Sequence, residues 1–435
     1  MKKPHVNSSK PSQQQLDSLI KLYQDRQYVD AEKLSLSITE EFPKHPFAWK
    51  ILGAILKQKG KISESLIVCQ KSVQLDPQDA KAHNNLAIIL LLQSRLEEAE
   101  TSLRKAIELK PDLAEAHNNL GVVLEKHRKF TEAFFAYTQA INSNPDFTDA
   151  YENLGRVLKK VSFNSSNTKV YPLLIQLLST GNFVRPRDLA PSILTLLKHD
   201  PLIKNLLLEK NFATSLKEAN SIIRSLDKLT LLHHLMRVCP LPDLQFERFF
   251  VFMRSLLLKN LDNIEASTEF IYFLSTLSLH CFTNEYVYFE KDEETELIKS
   301  LEAEIMQTIE KSEQPEAKKI LCLASYRPLD QYNWCQKLEV LDHLEEVKSR
   351  LIEEPFTEIA IAAEIPILGE ISDNVSCKVR SQYEKNPYPR WIKTLKTRKA
   401  KSISEICAEA NFHLNSENIK NVNAPAILIA GCGTG

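Results

Sequence analysis

A glycine-rich turn near the C-terminal end has the residue types that hold nucleotide-like ligands. The apolar run at residues 425–430 leads directly into Gly431, Gly433 and Gly435. Such a run predicts a buried parallel strand, and the missing side chains of the turn let a ligand touch the backbone. The spacing differs from the dinucleotide fingerprint, in which the third glycine stands one residue later. An ordinary connection between a strand and a turn is the alternative interpretation.

Residues 382–391 are dense in aromatic side chains and contain two prolines, in the order Gln-Tyr-Glu-Lys-Asn-Pro-Tyr-Pro-Arg-Trp. This segment and the glycine turn together resemble class I S-adenosylmethionine-dependent methyltransferases, in particular the bacterial ones that carry tetratricopeptide repeats. The resemblance implies S-adenosylmethionine as the cofactor. It implies a cofactor site formed by Gly431, Gly433, Gly435, Tyr383 and Arg390. A connecting segment packed against a sheet is the alternative for residues 382–391.

The last residue, Gly435, lies inside the glycine turn. A catalytic domain of this class needs the helix and the strands that follow the turn, including an acidic residue that binds the cofactor ribose. Ala430 also stands where many members of the family carry an acidic residue. We therefore expect this sequence to be the N-terminal part of a longer enzyme, with an incomplete cofactor site and no methyl transfer of its own.

Three asparagines at 34-residue intervals could bind a peptide. Asn85, Asn119 and Asn153 each stand one position before a leucine. Each carboxamide offers donors and acceptors, so a row of them can hydrogen-bond to the backbone of an extended peptide. The pattern resembles the repeat array of O-linked N-acetylglucosamine transferases, in which such a ladder holds acceptor peptides. The alternative is that these side chains bridge or cap neighbouring turns.

A 34-residue repeat positions these asparagines. Proline recurs with this spacing, and so do a leucine, a small residue after it, a second small residue and an aromatic or histidine side chain. The five columns are Pro43, Pro77, Pro111 and Pro145; Leu52, Leu86, Leu120 and Leu154; Gly53, Ala87, Gly121 and Gly155; Ala31, Ser65, Ala99 and Ala133; and Trp49, His83, His117 and Tyr151. They resemble the tetratricopeptide (TPR) family, in which small residues let two helices approach closely.

The fold that follows is mainly α. Repeats are predicted at 12–45, 46–79, 80–113 and 114–147, with a further helix at 148–160, so residues 12–160 form an α-solenoid. Residues 1–11 are predicted to be disordered. Apolar residues at helical spacing, interrupted by prolines, predict a helical linker domain at 161–320. Residues 321–435 would lead into the first strand and glycine turn of a Rossmann-like α/β methyltransferase domain.

Composition restricts the partners. The chain has 55 basic and 56 acidic side chains, so no net field directs it toward nucleic acid or a membrane. The eight cysteines include no pair with CxxC spacing, and the adjacent His233 and His234 point to different helix faces, so no metal site is predicted. The N-terminus lacks the apolar stretch of a signal peptide, and we expect a cytoplasmic protein.

Three functions remain open on these grounds. The first is a full-length methyltransferase that recruits its target through the TPR array, which binds a protein or peptide on its concave face. The second is an adaptor without enzymatic activity. The third is a glycosyltransferase, which only the asparagine columns favour.

Overall fold

The computed structural model describes residues 10–180, 183–208, 216–364, 373–375, 377–378 and 381. The chain divides into two compact units, residues 1–162 and 163–435, and each is described by itself. Every regular element within the described ranges is helical. The strand and glycine turn predicted at residues 425–435 lie outside these ranges, as does the segment 382–391.

Paired antiparallel helices build the described part of the first unit. They are α1 Gln13–Gln24, α2 Tyr28–Glu41, α3 Pro46–Gln58, α4 Ile62–Leu75, α5 Ala80–Leu92, α6 Leu96–Leu109, α7 Ala114–Lys126, α8 Phe130–Ser143 and α9 Thr148–Leu158. From α3 onward, the first helix of each pair begins at the residue where the 34-residue repeat begins. The first helices pack side by side, and each also packs against its own second helix.

The turn inside each repeat uses a residue with positive φ. These residues are Arg26, Gly60, Ser94 and Arg128, at φ values between 58° and 75°. In every case the next N–H bonds to the carbonyl five residues earlier, as with Lys61 and Leu56 at 2.9 Å. This is the Schellman arrangement, which satisfies the last carbonyls of a helix. The repeated turn therefore fixes where every second helix starts.

The small-residue columns set how closely the two helices of a repeat approach. A Cβ added at Gly121 would lie 2.5 Å from the ring of Tyr137, which is fully buried. At Gly53 an added Cβ would lie 2.5 Å from Sγ of Cys69. The hydroxyl of Ser65 donates to the Gly53 carbonyl at 2.7 Å. Neither contact leaves room for a Cβ on the first helix.

The second unit is also helical throughout its described part. Its α-helices are α10 Tyr171–Thr180, α11 Pro186–Lys198, α12 Pro201–Leu206, α13 Leu216–Asp227, α14 Thr230–Val238, α15 Leu244–Lys259, α16 Thr268–Thr283, α17 Asp292–Glu310, α18 Ala317–Ala324, α19 Glu345–Lys348 and α20 Glu354–Glu364. A π-helical turn, Ser349–Glu353, joins α19 to α20. Helix α16 lies at the centre, packed against α13, α14 and α18.

A buried guanidinium organises one side of this core. Arg254 is 2% exposed and donates to the carbonyls of Phe289 at 2.7 Å, and of Tyr288 and Ser325 at 3.3 Å each. The Tyr288 hydroxyl in turn lies 2.6 Å from Nε2 of the buried His280. A buried charge needs hydrogen bonds in place of water. These carbonyls supply them to Nη1 and Nη2, while Nε has no partner among the described residues. The network joins α15 and α16 to the backbone that follows α16 and to the end of α18.

Helix α18 runs across the boundary predicted between residues 320 and 321. Its residues Ile320, Leu321, Cys322 and Leu323 are almost completely buried, and the helix packs against α16. The predicted boundary therefore falls inside a packed helix, and the division of the chain into these domains stays a prediction.

The described residues carry no helix long and apolar enough to cross a membrane. They also hold no group of three or more metal-ligating side chains. Of the cysteines described, Cys377 is exposed and the others are buried thiols.

Candidate functional site

The aromatic or histidine column joins each repeat to the one before it. The ring N–H of Trp49 donates to the Pro43 carbonyl at 3.0 Å. Nε2 of His83 lies 3.0 Å from the Pro77 carbonyl, and Nε2 of His117 lies 2.8 Å from the Pro111 carbonyl. A carbonyl only accepts, so both histidines carry their proton on Nε2 and replace the indole in the same role.

Two asparagine columns bridge neighbouring repeats. The Asn119 amide donates to Oδ1 of Asn84 at 2.9 Å, and the Asn153 amide donates to Oδ1 of Asn118 at 3.0 Å. The acceptors Asn84 and Asn118 are buried. Two of the three predicted peptide-binding rungs therefore bond to the scaffold, which is the bridging arrangement that the sequence left open. One amide hydrogen of each remains available.

Asn85 is the exception, because Lys50 takes the place of the acceptor asparagine in the preceding repeat. Nζ of Lys50 instead bonds to Oδ2 of Asp79 at 2.5 Å. Asp79 also caps α5 by accepting from the backbone N–H of Lys81 and Ala82. Within the described part of the chain, the Asn85 carboxamide has no hydrogen-bond partner. Its donors and acceptors are thus available to a ligand.

Asn85 lines a groove of about 280 Å³ between the first helices of the repeats. The groove is lined by Tyr23, Lys50, Ile51, Gly53, Ala54, Lys57, Cys69, Lys81, Asn84, Asn85, Ile88, Ile89, Leu113 and Glu115. Lys57 and Lys81 form no ion pair with any described residue, whereas Lys50 forms an ion pair with Asp79. With Glu115 as the acidic side chain among the lining residues, the groove has an excess of positive charge.

The ionisable groups around the groove favour binding over covalent chemistry. Burial raises the pKa of the Cys69 thiol to about 11, so Cys69 is not a nucleophilic thiolate at neutral pH. Burial also raises the pKa of the Tyr23 hydroxyl, which keeps its proton. For Asp79, burial acts to raise the pKa, but the hydrogen bonds and charge of Lys50 and the cap amides outweigh it and the pKa is lowered. Asp79 therefore stays ionised and holds Lys50 in place.

Several polar and aromatic side chains of the second unit contact other residues of the same unit. His233 is buried, with its ring nitrogens 3.1 Å from the Leu226 carbonyl and from the Thr276 hydroxyl. Tyr332 stacks on Trp334, with ring centroids 4.7 Å apart. Arg327 forms a two-pronged ion pair with Glu290.

Family models of the tetratricopeptide repeat match residues 68–101, 89–127 and 114–147. Together with the paired helices and the repeated turn, these matches establish that the chain contains TPR repeats. The first unit is thus a TPR array.

Solved TPR structures are similar to part of the chain. The crystal structure of MamA is 23% identical and covers 33% of this chain and 79% of that one, at a TM-score of 0.30. MamA 41-end from Desulfovibrio magneticus RS-1 is 16% identical, with 34% and 82% covered and a TM-score of 0.31. The first TPR of Spaghetti (RPAP3), bound to the HSP90 peptide SRMEEVD, is 20% identical, with 26% and 91% covered and a TM-score of 0.26. No curated protein matches.

The predicted cofactor residues Gly431, Gly433, Gly435, Tyr383 and Arg390 lie outside the described residues, so their cofactor role stays a prediction.

Sequence reasoning missed the lysines of the groove. Lys81 and Ile88 stand four residues before and three residues after Asn85, on the same face of α5. Lys57 stands seven residues, about two helical turns, after Lys50 on the same face of α3. Helical spacing from the asparagine could therefore have found them.

Proposed function

We propose that the protein is a TPR scaffold that binds an extended acidic peptide in the groove between α3 and α5. The observation that supports this most directly is Asn85, whose carboxamide is left unused by the scaffold at the junction where lysines gather. TPR arrays in general bind proteins or peptides. The lysines of this groove add a preference for acidic peptides to that general role.

Each group has a distinct part in this proposal. The Asn85 carboxamide donates to and accepts from the peptide backbone, independently of peptide sequence. Lys57 and Lys81 attract carboxylates, and because both are solvent-accessible their contribution falls as salt rises. Ile51 and Ile88 offer apolar contact to one side chain of the peptide. Selection for acidic residues therefore depends on the lysines. Affinity for any extended peptide depends on Asn85.

Fluorescence anisotropy with labelled peptides tests this function. The acidic probe is SRMEEVD, and the comparison peptide is the amidated analogue SRMQQVN, which has the same length and no carboxylate. We expect tighter binding of the acidic probe, and we expect the double substitution Lys57→Glu with Lys81→Glu to remove the preference. Lys71→Glu, on α4 outside the groove, is the matched control and should change nothing. Equal affinity for the two peptides in the unmodified protein would refute the charge selection.

We propose further that the full-length protein is an S-adenosylmethionine-dependent methyltransferase that uses this array to recruit its target. Support comes from sequence alone, from the resemblance of residues 382–391 and 425–435 to the methyltransferase family. Gly431, Gly433 and Gly435 would hold the cofactor in that case. Calorimetric titration of the full-length protein with S-adenosylmethionine tests the proposal, and absence of binding heat would reject it without affecting the peptide assay.

An adaptor role without catalysis is the remaining candidate, and the groove supports it equally. A glycosyltransferase was suggested by the asparagine columns, and Asn119 and Asn153 now have a bridging role that accounts for their recurrence. The titration separates the enzyme from the adaptor.

A further inference from the structure

The second unit contains a pocket of about 490 Å³ between one face of α16 and the start of α19. Apolar and aromatic side chains of α16 line one wall, namely Ile271, Tyr272 and Leu279, while Leu344 and Val347 line the other. The volume lies in the usual range of small-molecule sites, roughly 300–1,000 Å³. The pocket is therefore large enough for an apolar body of several carbons.

A fixed ion pair forms its polar wall. Nη1 of Arg237 bonds to Oε2 of Glu346 at 2.8 Å, and Nε of Arg237 donates to the Thr276 hydroxyl at 3.3 Å. The guanidinium also lies over the ring of Tyr272, 4.8 Å from its centroid. Three contacts hold this arginine, so the wall is preformed and a ligand does not need to order it.

Burying a second arginine behind the wall costs free energy, and packing alone does not explain why it is buried there. Arg350 is 5% exposed and donates to Oε1 of Glu346 at 3.1 Å and to the Arg237 carbonyl at 2.7 Å. Its Nε is buried with no partner among the described residues, and so is the hydroxyl of Ser275 in the pocket wall. Arg350 also stands on the π-helical turn, a form that is frequent at functional sites. Of these groups, the Ser275 hydroxyl lines the pocket, and Arg350 lies behind it in contact with the lining residue Glu346.

The charges indicate the class of ligand. The lining carries one cation, Arg237, and two carboxylates, Glu345 and Glu346. Both oxygens of Glu346 accept from guanidinium groups, one from Arg237 and one from Arg350 behind the wall. Glu345 also lines the pocket, is exposed, and forms no ion pair within the described ranges. A cation with an apolar body complements this combination of an unpaired carboxylate and apolar walls. We propose that the pocket binds an amphipathic organic amine, with its ammonium at Glu345 and its carbon chain against Ile271, Leu279 and Val347.

Methyl NMR of the full chain with three six-carbon probes tests the proposal. Hexylamine, hexanol and hexanoate share one body and differ in their head groups. We expect hexylamine to shift the methyl signals of Ile271, Leu279 and Val347 in a saturable way, with an affinity at least about threefold above that of hexanol, the size of a solvent-accessible ion pair. Hexanoate should bind more weakly than hexanol.

Two substitutions complete the test. Glu345→Gln should make hexylamine and hexanol equal in affinity, whereas Glu313→Gln, an exposed carboxylate outside the pocket, should leave the preference intact. Ile271→Trp fills the pocket and should abolish binding of every probe. Equal affinities of the three probes in the unmodified protein, shifts spread over the whole molecule, or no shifts at all would each overturn the proposal.

Discussion

At the scale of the residue, Trp49, His83 and His117 show how a repeat position keeps its role when the residue changes. Each presents a ring N–H to the carbonyl of the proline that ended the previous repeat. The asparagine columns behave differently at one junction, where Lys50 replaces the acceptor and Asn85 is left without its bridge. A break in a regular column therefore marks where a carboxamide is left unused by the scaffold.

This difference predicts opposite effects for two similar substitutions. Asn119→Ala removes the donor to the buried Oδ1 of Asn84 and should lower the free energy of unfolding by about 1–2 kcal/mol. Asn85→Ala removes no scaffold bond and should change it by less than about 0.5 kcal/mol while weakening peptide binding. Urea unfolding followed by circular dichroism, with the anisotropy assay alongside, measures both. Equal loss of stability in the two variants would show that Asn85 is also structural.

At the scale of the element, each helix pair is matched through residue size. Gly121 faces Tyr137, whereas the equivalent Gly53 faces the much smaller Cys69. In both repeats the glycine on the first helix leaves room for the side chain that faces it from the second helix. The sequence predicts that these columns are small, but it does not reveal which side chain lies opposite each of them.

Substituting these glycines tests the matching. Gly121→Ala should destabilise the protein by about 1–3 kcal/mol, because the buried ring of Tyr137 has no space into which to move. Gly53→Ala should also destabilise it, and adding Cys69→Ala should recover part of the loss, since the added Cβ clashes with Sγ. Thermal unfolding of the three variants provides the comparison. If the double variant is no more stable than Gly53→Ala, the close contact is not the cause of the loss.

At the scale of the whole molecule, the two units differ in how much of their structure can be predicted from their sequence. In the first unit the contacts join residues that are close in sequence, so a period of 34 residues fixes helices, turns and register together. Arg254 shows why periodicity does not predict the contacts of the second unit. Its carbonyl partners at Tyr288 and Ser325 are 34 and 71 positions away, and no repeat indicates them. The contact between Arg237 and Glu346 spans 109 positions, so neither the core nor the pocket follows from periodicity.

The second unit should also carry most of the acid sensitivity, through His233 and His280. Burial lowers the pKa of each imidazole from 6.5 to about 4, so both are neutral in the folded protein at pH 7. Below pH 6.5 the unfolded chain binds a proton at each site that the folded chain does not. Stability is therefore complete above pH 6.5 and is lost as the pH falls toward 4.

At pH 5 each histidine should have removed about 2 kcal/mol of unfolding free energy, before most carboxylates titrate. Urea unfolding at pH 7, 6 and 5 measures this slope. His280→Asn keeps a side-chain N–H near the Met236 carbonyl that Nδ1 of His280 contacts. The variant should be less stable at pH 7 yet lose less stability between pH 7 and 5, because one titrating imidazole is gone. An unchanged slope would mean that His280 gains its proton without unfolding. The enclosed core around His280, where Tyr288 and Phe250 contact it, would then have to open to water in the native state.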